Sequence, residues 1–146
     1  MPPRSPLHCR CRTALLGLVL SLLLGTAWGL DVVVHPGVSL GTLSPSMARA
    51  IFALKLPQWP DGTAVRVFVL ADDTAEHQAL CKQVLDLYPY QLRDAWNRQV
   101  YTGTGQGPVK VGSVEEMSRR VANTPGAIGY LSKVDKNEAV RIVPVR

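Results

Sequence analysis

The sequence predicts an α/β fold: a single domain in which a small mixed sheet is flanked by helices. Short runs of β-branched residues alternate along the chain with segments whose apolar residues recur at helical spacing. Most of the helical segments begin with residues that are typical of helix starts. After an N-terminal leader, 117 residues remain, which is enough for one compact domain and too few for two.

Residues 1–29 have the pattern of a secretory signal peptide. Basic residues precede an apolar run over residues 14–24, and a small residue, Gly29, stands at the expected cleavage point. The apolar run is shorter than the roughly 20 residues that span a bilayer. We therefore expect cleavage near Gly29 and a mature domain, residues 30–146, that is periplasmic or secreted.

The composition of the mature chain narrows the classes of partner. Three of the 16 Lys and Arg residues belong to the leader, so 13 basic residues would face 11 acidic ones. No Lys or Arg cluster resembles a footprint on a phosphate backbone, so we do not expect a nucleic-acid partner. Cys81 is the only cysteine after the leader, which excludes an internal disulfide in the mature chain.

The first half of the mature chain predicts two strands and a helix. Residues 31–35 form a β-branched run closed by Pro36-Gly37, and residues 65–70 form a valine-rich run after an Asp61-Gly62 turn. Between them, Ser44-Pro45 predicts an N-cap followed by proline at the first helical position. The residues expected on the inward face of this helix are Met47, Ala50, Ile51 and Leu54.

The second half predicts three helices and two short strands. A helix is expected over residues 74–86, and another begins near Pro89. The inward face of the latter is Leu92, Trp96 and Val100. Ser113 and Glu116 predict a capping box at the start of the third helix. The two closing strands are expected over residues 127–131 and 140–143.

The order of these features resembles the phosphate-binding proteins of the ABC phosphate importers, which have the type 2 periplasmic binding protein (PBP) fold. Trp59, Trp96 and Gly103-x-Gly105 contribute to the resemblance, and its most specific element is Pro-Gly-Ala-Ile-Gly-Tyr at residues 125–130. Buried tryptophans serve more often as core anchors than as ligand platforms, and we expect that role for Trp59 and Trp96.

The resemblance covers roughly residues 31–132 and implies a short, single-lobe member of this family. It implies a receptor for phosphate or another small oxyanion that works with a membrane permease and needs no cofactor. In the family this stretch belongs to the second lobe. A ligand bound here would therefore be half exposed unless another chain, such as a second copy, covered it.

The resemblance also implies an anion site at the start of the helix after the second strand. There the family has an arginine and a Ser-Gly-Thr run, whereas this chain has Leu70 and Asp73, and only Thr74 agrees. Asp72 and Asp73 would oppose an anion at this helix end. The alternative is that both are the N-cap and first-turn acids of the helix.

A second candidate anion site is the glycine-rich loop over residues 103–107. The backbone of Gly103 and Gly105 could donate to an anion, and Thr102 and Thr104 supply hydroxyl groups. The alternative is a flexible turn that needs positive φ angles.

The sequence supports an enzymatic function less well than a binding function. His77 and Cys81 are four residues apart on one predicted helix, but no third group can be assigned from the sequence to orient the imidazole. Asp72, Asp73, Glu76 and His77 could in principle hold a metal, yet a capped, solvated helix start explains them more simply. We therefore expect neither catalysis nor a bound metal.

Two functions from different classes remain. The first is an exported solute-binding-protein-like domain that binds phosphate or another small oxyanion for an ABC-type uptake system. The second is a non-catalytic extracytoplasmic interaction module that has lost solute binding and docks on another exported protein. Homodimerisation would be compatible with both, because two copies could form a two-lobed cleft.

Overall fold

The computed structural model describes residues 29–103, 105–135 and 138–146. In these residues one five-stranded sheet is surrounded by four α-helices and a π-helical segment. The strands are β1 Asp31–Val34, β2 Arg66–Val69, β3 Val109–Lys110, β4 Ala127–Leu131 and β5 Arg141–Ile142. The helices are α1 Pro45–Phe52, α2 Ala75–Ala79, α3 Pro89–Tyr101 and α4 Val114–Asn123, and the π segment Leu80–Leu85 directly follows α2.

The sheet is mixed, with strand order β3-β2-β4-β1-β5. β2 is parallel to β3 and to β4, whereas β1 is antiparallel to β4 and to β5. Four strands therefore run in one direction and β1 runs against them. The α/β class and the small mixed sheet predicted from the sequence are confirmed.

Helices cover both faces of the sheet. Adjacent residues of a strand point to opposite faces, and β4 shows the division: Gly129 faces Met117 and Val121 of α4, whereas Tyr130 packs against Phe52 of α1. Because β2 is also covered on both sides, Val67, Phe68 and Val69 are all buried. The apolar residues of this strand therefore do not alternate between core and solvent.

The two tryptophans are core anchors, as predicted. Trp59 is 3% exposed and Trp96 is 5% exposed. The indole N–H of Trp59 donates to the carbonyl of Gly126 at 2.9 Å, and that of Trp96 donates to the carbonyl of Phe52 at 2.6 Å. Each ring therefore buries a large apolar surface while its one polar group keeps a partner.

The predicted inward faces of two helices need correction. The buried residues of α1 are Ala48, Ile51 and Phe52, while Met47 and Ala50 are only half-buried. Ile51 is the residue that the predicted and the observed inward faces share. The helix is rotated so that the larger Phe52 is buried. Leu54 lies beyond the helix, at a φ of 61°.

In α3, Leu92 and Trp96 are buried as predicted, but Val100 is 50% exposed. In an α-helix, a residue eight positions further along is rotated by about 80° beyond two full turns. Val100 therefore does not lie on the same face as Leu92.

The helix predicted over residues 74–86 is divided. Regular α-helix ends at Ala79, and the wider π turn continues to Leu85. Asp86 then takes a left-handed conformation, with φ 51°, and its N–H reaches back to the carbonyl of Cys81. β3 was missed because it has two residues after a Gly-Pro loop and gains its strand geometry from pairing with β2.

The predicted leader, residues 1–29, lies outside the described residues except for Gly29. Among the residues that the structure does describe, no helix has the length and apolar character needed to cross a membrane.

Gly129 is the position where the packing of α4 on the sheet leaves no room for a side chain. A Cβ atom there would lie 2.5 Å from the sulfur of Met117 and 3.0 Å from a methyl group of Val121. We expect Gly129→Ala to lower the free energy of unfolding by about 1–3 kcal/mol, measured by urea denaturation, because the helix must shift to admit the methyl group.

Gly105→Ala is the matched control, because a Cβ atom at Gly105 meets nothing within 4 Å. Its effect on stability should stay within about 0.5 kcal/mol. Equal stability of the two variants would contradict the close packing of α4 against β4.

Candidate functional site

The carboxyl ends of β2, β3 and β4 meet at one edge of the sheet. We call this the carboxyl edge and define it by the segments that follow these strands: residues 70–74, residues 111–113 and Ser132. In open α/β sheets, ligands bind outside the carboxyl ends of the strands. Asp72, Asp73 and Thr74 therefore lie where the topology of the sheet favours a ligand.

Thr74 is the N-cap of α2. Its hydroxyl accepts a hydrogen bond from the backbone N–H of His77 at 3.3 Å and donates one to the carbonyl of Ala71 at 2.7 Å. The sequence interpretation of Asp72 and Asp73 as N-cap and first-turn acids is therefore wrong. Both precede the helix, and the acid in its first turn is Glu76.

Asp72 has a cationic partner that sequence reasoning missed. A guanidinium nitrogen of Arg93, on α3, lies 2.5 Å from one carboxylate oxygen, and the other oxygen lies 3.7 Å from Nε2 of His77. Asp73 is exposed. The edge does contain an arginine, but it is 21 residues away along the chain from Asp72 and is already paired. No local pattern in the sequence marks it.

The start of α4 brings a second carboxylate to the edge. The Ser113 hydroxyl accepts from the N–H of Glu116 at 3.1 Å, as expected for a capping box. The Glu116 carboxylate, however, accepts from the N–H of Gly112 at 2.8 Å and not from that of Ser113. One backbone donor that a bound anion could use is thus occupied by a side chain of the protein itself.

The glycine-rich loop does not belong to this edge. It precedes β3, and Arg66, at the start of β2, donates to Gln106 at 3.3 Å, so the loop lies at the opposite end of the strands. Gly103 has a φ of 68°, and the Thr102 hydroxyl donates to the carbonyl of Arg98 at 2.8 Å. The structure therefore separates Thr102, Gly103 and Gly105 from Asp72, Asp73 and Thr74. Thr104 lies outside the described residues.

A buried hydrogen-bond chain lies directly behind the edge. The hydroxyl of Tyr130 accepts from the N–H of Leu70 at 2.7 Å and lies 2.7 Å from Nδ1 of His77. The hydroxyl has one proton to donate and two lone pairs, so the tautomer of His77 decides which of the two atoms donates in this second hydrogen bond. Nε2 faces Asp72 and, at 3.6 Å, the sulfur of Cys81. Tyr130 is thus the orienting group of His77 that the sequence could not identify.

The electrostatics of this chain do not favour nucleophilic chemistry. Burial lowers the pKa of His77, opposed by the nearby Asp72 carboxylate, and Lys110 lowers it further. Burial, with a contribution from Asp72, raises the pKa of the Cys81 thiol to about 11, and burial also raises the pKa of Tyr130. A buried thiol that stays protonated is a poor nucleophile. In the part of the chain that the structure describes, no group of three or more His, Cys, Asp or Glu residues could hold a metal ion.

Comparison with solved structures identifies the fold. No protein-family model matches the chain, and no curated protein sequence matches it significantly. A Clostridium perfringens protein assigned as a phosphate ABC transporter substrate-binding protein, solved with bound phosphate, is similar with a TM-score of 0.63 and 17% identity, over 80% of this chain and 44% of that one. PstS from Borrelia burgdorferi is similar with a TM-score of 0.59 and 12% identity, over 80% and 46%.

An ABC-type phosphate transport receptor from Vibrio cholerae gives a TM-score of 0.50 and 16% identity, over 79% of this chain and 45% of that one. The chain thus spans less than half the length of each of these structures. At these identities the likeness shows the fold alone, and it confirms the PBP-like fold predicted from the sequence.

His77 is expected to make the stability of the protein depend on pH. Its pKa in the folded state lies below the ordinary value of 6.5, so the unfolded chain binds the proton more readily. Stability should be full above pH 6.5 and fall as the pH drops below it. Urea denaturation between about pH 8 and about pH 5 should show this loss, and His77→Gln should reduce it.

Cys81→Ala is the control for this prediction, because it removes a neighbour of the imidazole whose pKa is raised to about 11 and which therefore stays protonated over this range. It should leave the dependence on pH unchanged. A dependence on pH that persists undiminished in His77→Gln would refute the assignment.

Proposed function

We propose that this chain is a non-catalytic receptor domain of the solute-binding type, exported from the cytoplasm, whose ligand face is the carboxyl edge. The observation that carries the proposal is the likeness of the whole described fold to three phosphate-transport receptors, one of them solved with bound phosphate. The secretory pattern of residues 1–29 supports export to the periplasm or beyond the cell.

The absence of catalysis is part of the proposal. The imidazole of His77 and the thiol of Cys81 are fully buried and face each other behind the edge. The thiol is held protonated by burial, and the imidazole is engaged by Tyr130. This arrangement supports a structural role for both groups, since a nucleophile must reach its substrate.

The first candidate ligand is phosphate or another small oxyanion. Two helix starts, at Thr74 and Ser113, and the guanidinium of Arg93 supply the kinds of donor that bind such anions. An anion at this edge would compete with the Glu116 carboxylate for the N–H of Gly112 and with Asp72 for Arg93. We therefore propose weak binding, with a membrane permease of the ABC type as the partner that receives the solute.

The second candidate is an interaction module, and it is favoured by the charge of the same edge. Asp73 lies on this edge and Glu76 directly after it, and neither forms an ion pair among the described residues. Asp72 and Glu116 are instead paired with Arg93 and Arg120. An acidic surface repels an anion and suits a basic protein surface. Another exported protein, or a second copy of the chain, is the partner in this alternative.

Calorimetric titration of the purified protein with phosphate tests the first candidate. If Thr74 and the start of α2 contribute to the site, Thr74→Ala should weaken binding by about fivefold to tenfold. Ser44→Ala is the matched control, because it removes the equivalent N-cap of α1. It should leave the affinity unchanged.

Glu116→Gln tests whether the Glu116 carboxylate competes with phosphate for the N–H of Gly112. Removal of its negative charge should raise the affinity for phosphate by about threefold to tenfold. An absence of heat with phosphate and with sulfate, in the wild type and in Glu116→Gln, would exclude oxyanion binding and leave the interaction module as the function of the edge.

A further inference from the structure

A cleft between α1 and α3 has a charge opposite to that of the carboxyl edge. Its volume is about 440 Å³, and three of its lining residues are the cationic Arg49, Lys55 and Arg98. None of the residues that line it is an aspartate or a glutamate. We call this space the basic cleft.

The cations that line this cleft have no carboxylate partner in the described part of the chain. Neither Arg49 nor Lys55 nor Arg98 forms an ion pair there, whereas Arg93 and Arg120 each have a carboxylate partner. Basic and acidic residues are nearly balanced after the leader. Three cations without an ion pair around one concavity therefore concentrate positive potential locally.

Arg49 lies on α1 and Arg98 on α3, and these two helices are held together, while Lys55 follows α1. The indole of Trp96, on α3, donates to the carbonyl of Phe52, the last residue of α1. Arg49 is also held directly, because its Nε donates to the carbonyl of Leu85 at 2.6 Å, where the π segment ends. The guanidinium of Arg49 is thus positioned before any ligand arrives, which lowers the entropic cost of binding at this residue.

The polar neighbours of the cations suit an oxyanion. Gln91 and Ser46 also line the cleft. The side-chain oxygen of Gln91 accepts from the N–H of Tyr88 at 2.9 Å, so its amide nitrogen remains as a donor. One guanidinium group can donate to two oxygens of a phosphate at once, and amide and hydroxyl groups can donate further hydrogen bonds to the same anion.

We propose that the basic cleft binds a phosphate-type oxyanion, either as inorganic phosphate or as the phosphate ester of an anionic phospholipid headgroup. The proposal does not depend on the function proposed for the carboxyl edge. It assigns anion binding to a concavity whose charged lining residues are all basic, at residues that the sequence pattern did not mark.

The test is equilibrium binding of the purified protein to two probes. The first probe is inorganic phosphate, followed by calorimetry. The second is a set of vesicles of phosphatidylcholine, with and without phosphatidylglycerol, followed by cosedimentation. The variants are Arg98→Gln and Lys55→Gln, which remove exposed charges, and Arg119→Gln is the matched control because Arg119 is an exposed cation on α4, across the sheet.

We expect saturable binding of at least one probe, weakened about fivefold to tenfold by Arg98→Gln and by Lys55→Gln and unchanged by Arg119→Gln. Binding of phosphate identifies a free anion as the ligand. Binding only of the vesicles that contain phosphatidylglycerol identifies the lipid headgroup.

Three outcomes would overturn the proposal. The first is no binding of either probe, and the second is equal weakening by Arg119→Gln, which would indicate a general charge effect. The third is phosphate binding that Thr74→Ala abolishes and Arg98→Gln does not change. That last result would support the carboxyl edge as the anion site and reject the basic cleft.

Discussion

Tyr130 connects three elements through one buried hydroxyl group. It lies on β4, accepts from the backbone N–H of Leu70 at the end of β2, and meets the imidazole of His77 on α2. Buried polar groups that lose a partner cost about 1–3 kcal/mol each, so these groups hold one another in place. The position of Leu70 determines where the next segment leaves the sheet. The geometry of Asp72, Asp73 and Thr74 at the carboxyl edge therefore depends on this hydroxyl.

The carboxyl edge shows how a backbone donor beside a helix start can be occupied by a group of the protein itself. A helix N-terminus attracts an anion through unpaired backbone N–H groups and the helix dipole. Here the Glu116 carboxylate takes up a backbone donor beside the start of α4, and Asp72 engages Arg93. Cations that form no ion pair with any described carboxylate lie instead around the cleft between α1 and α3. Likeness of fold therefore locates a face of the protein and does not identify its ligand.

The errors of the sequence interpretation have a common physical origin. Local patterns identified the helices near Ser44, Pro89 and Ser113, because caps and apolar spacing are properties of neighbouring residues. They did not determine which way each helix is rotated, since rotation follows from the largest groups that find room in the core. Local patterns also did not predict the two-residue β3 or the π segment, because both owe their form to contacts distant in sequence.

By itself, the sequence determined the α/β class, the burial of both tryptophans and the resemblance to phosphate receptors, because these follow from composition and the order of motifs. Only the tertiary structure decided which candidate residues share a site. It placed residues 72–74 at one end of the strands and residues 102–105 at the other, as far as these are described, and it brought Arg93 to Asp72. Strand direction and long-range pairing decide such neighbourhoods, and neither is encoded in any local run of residues.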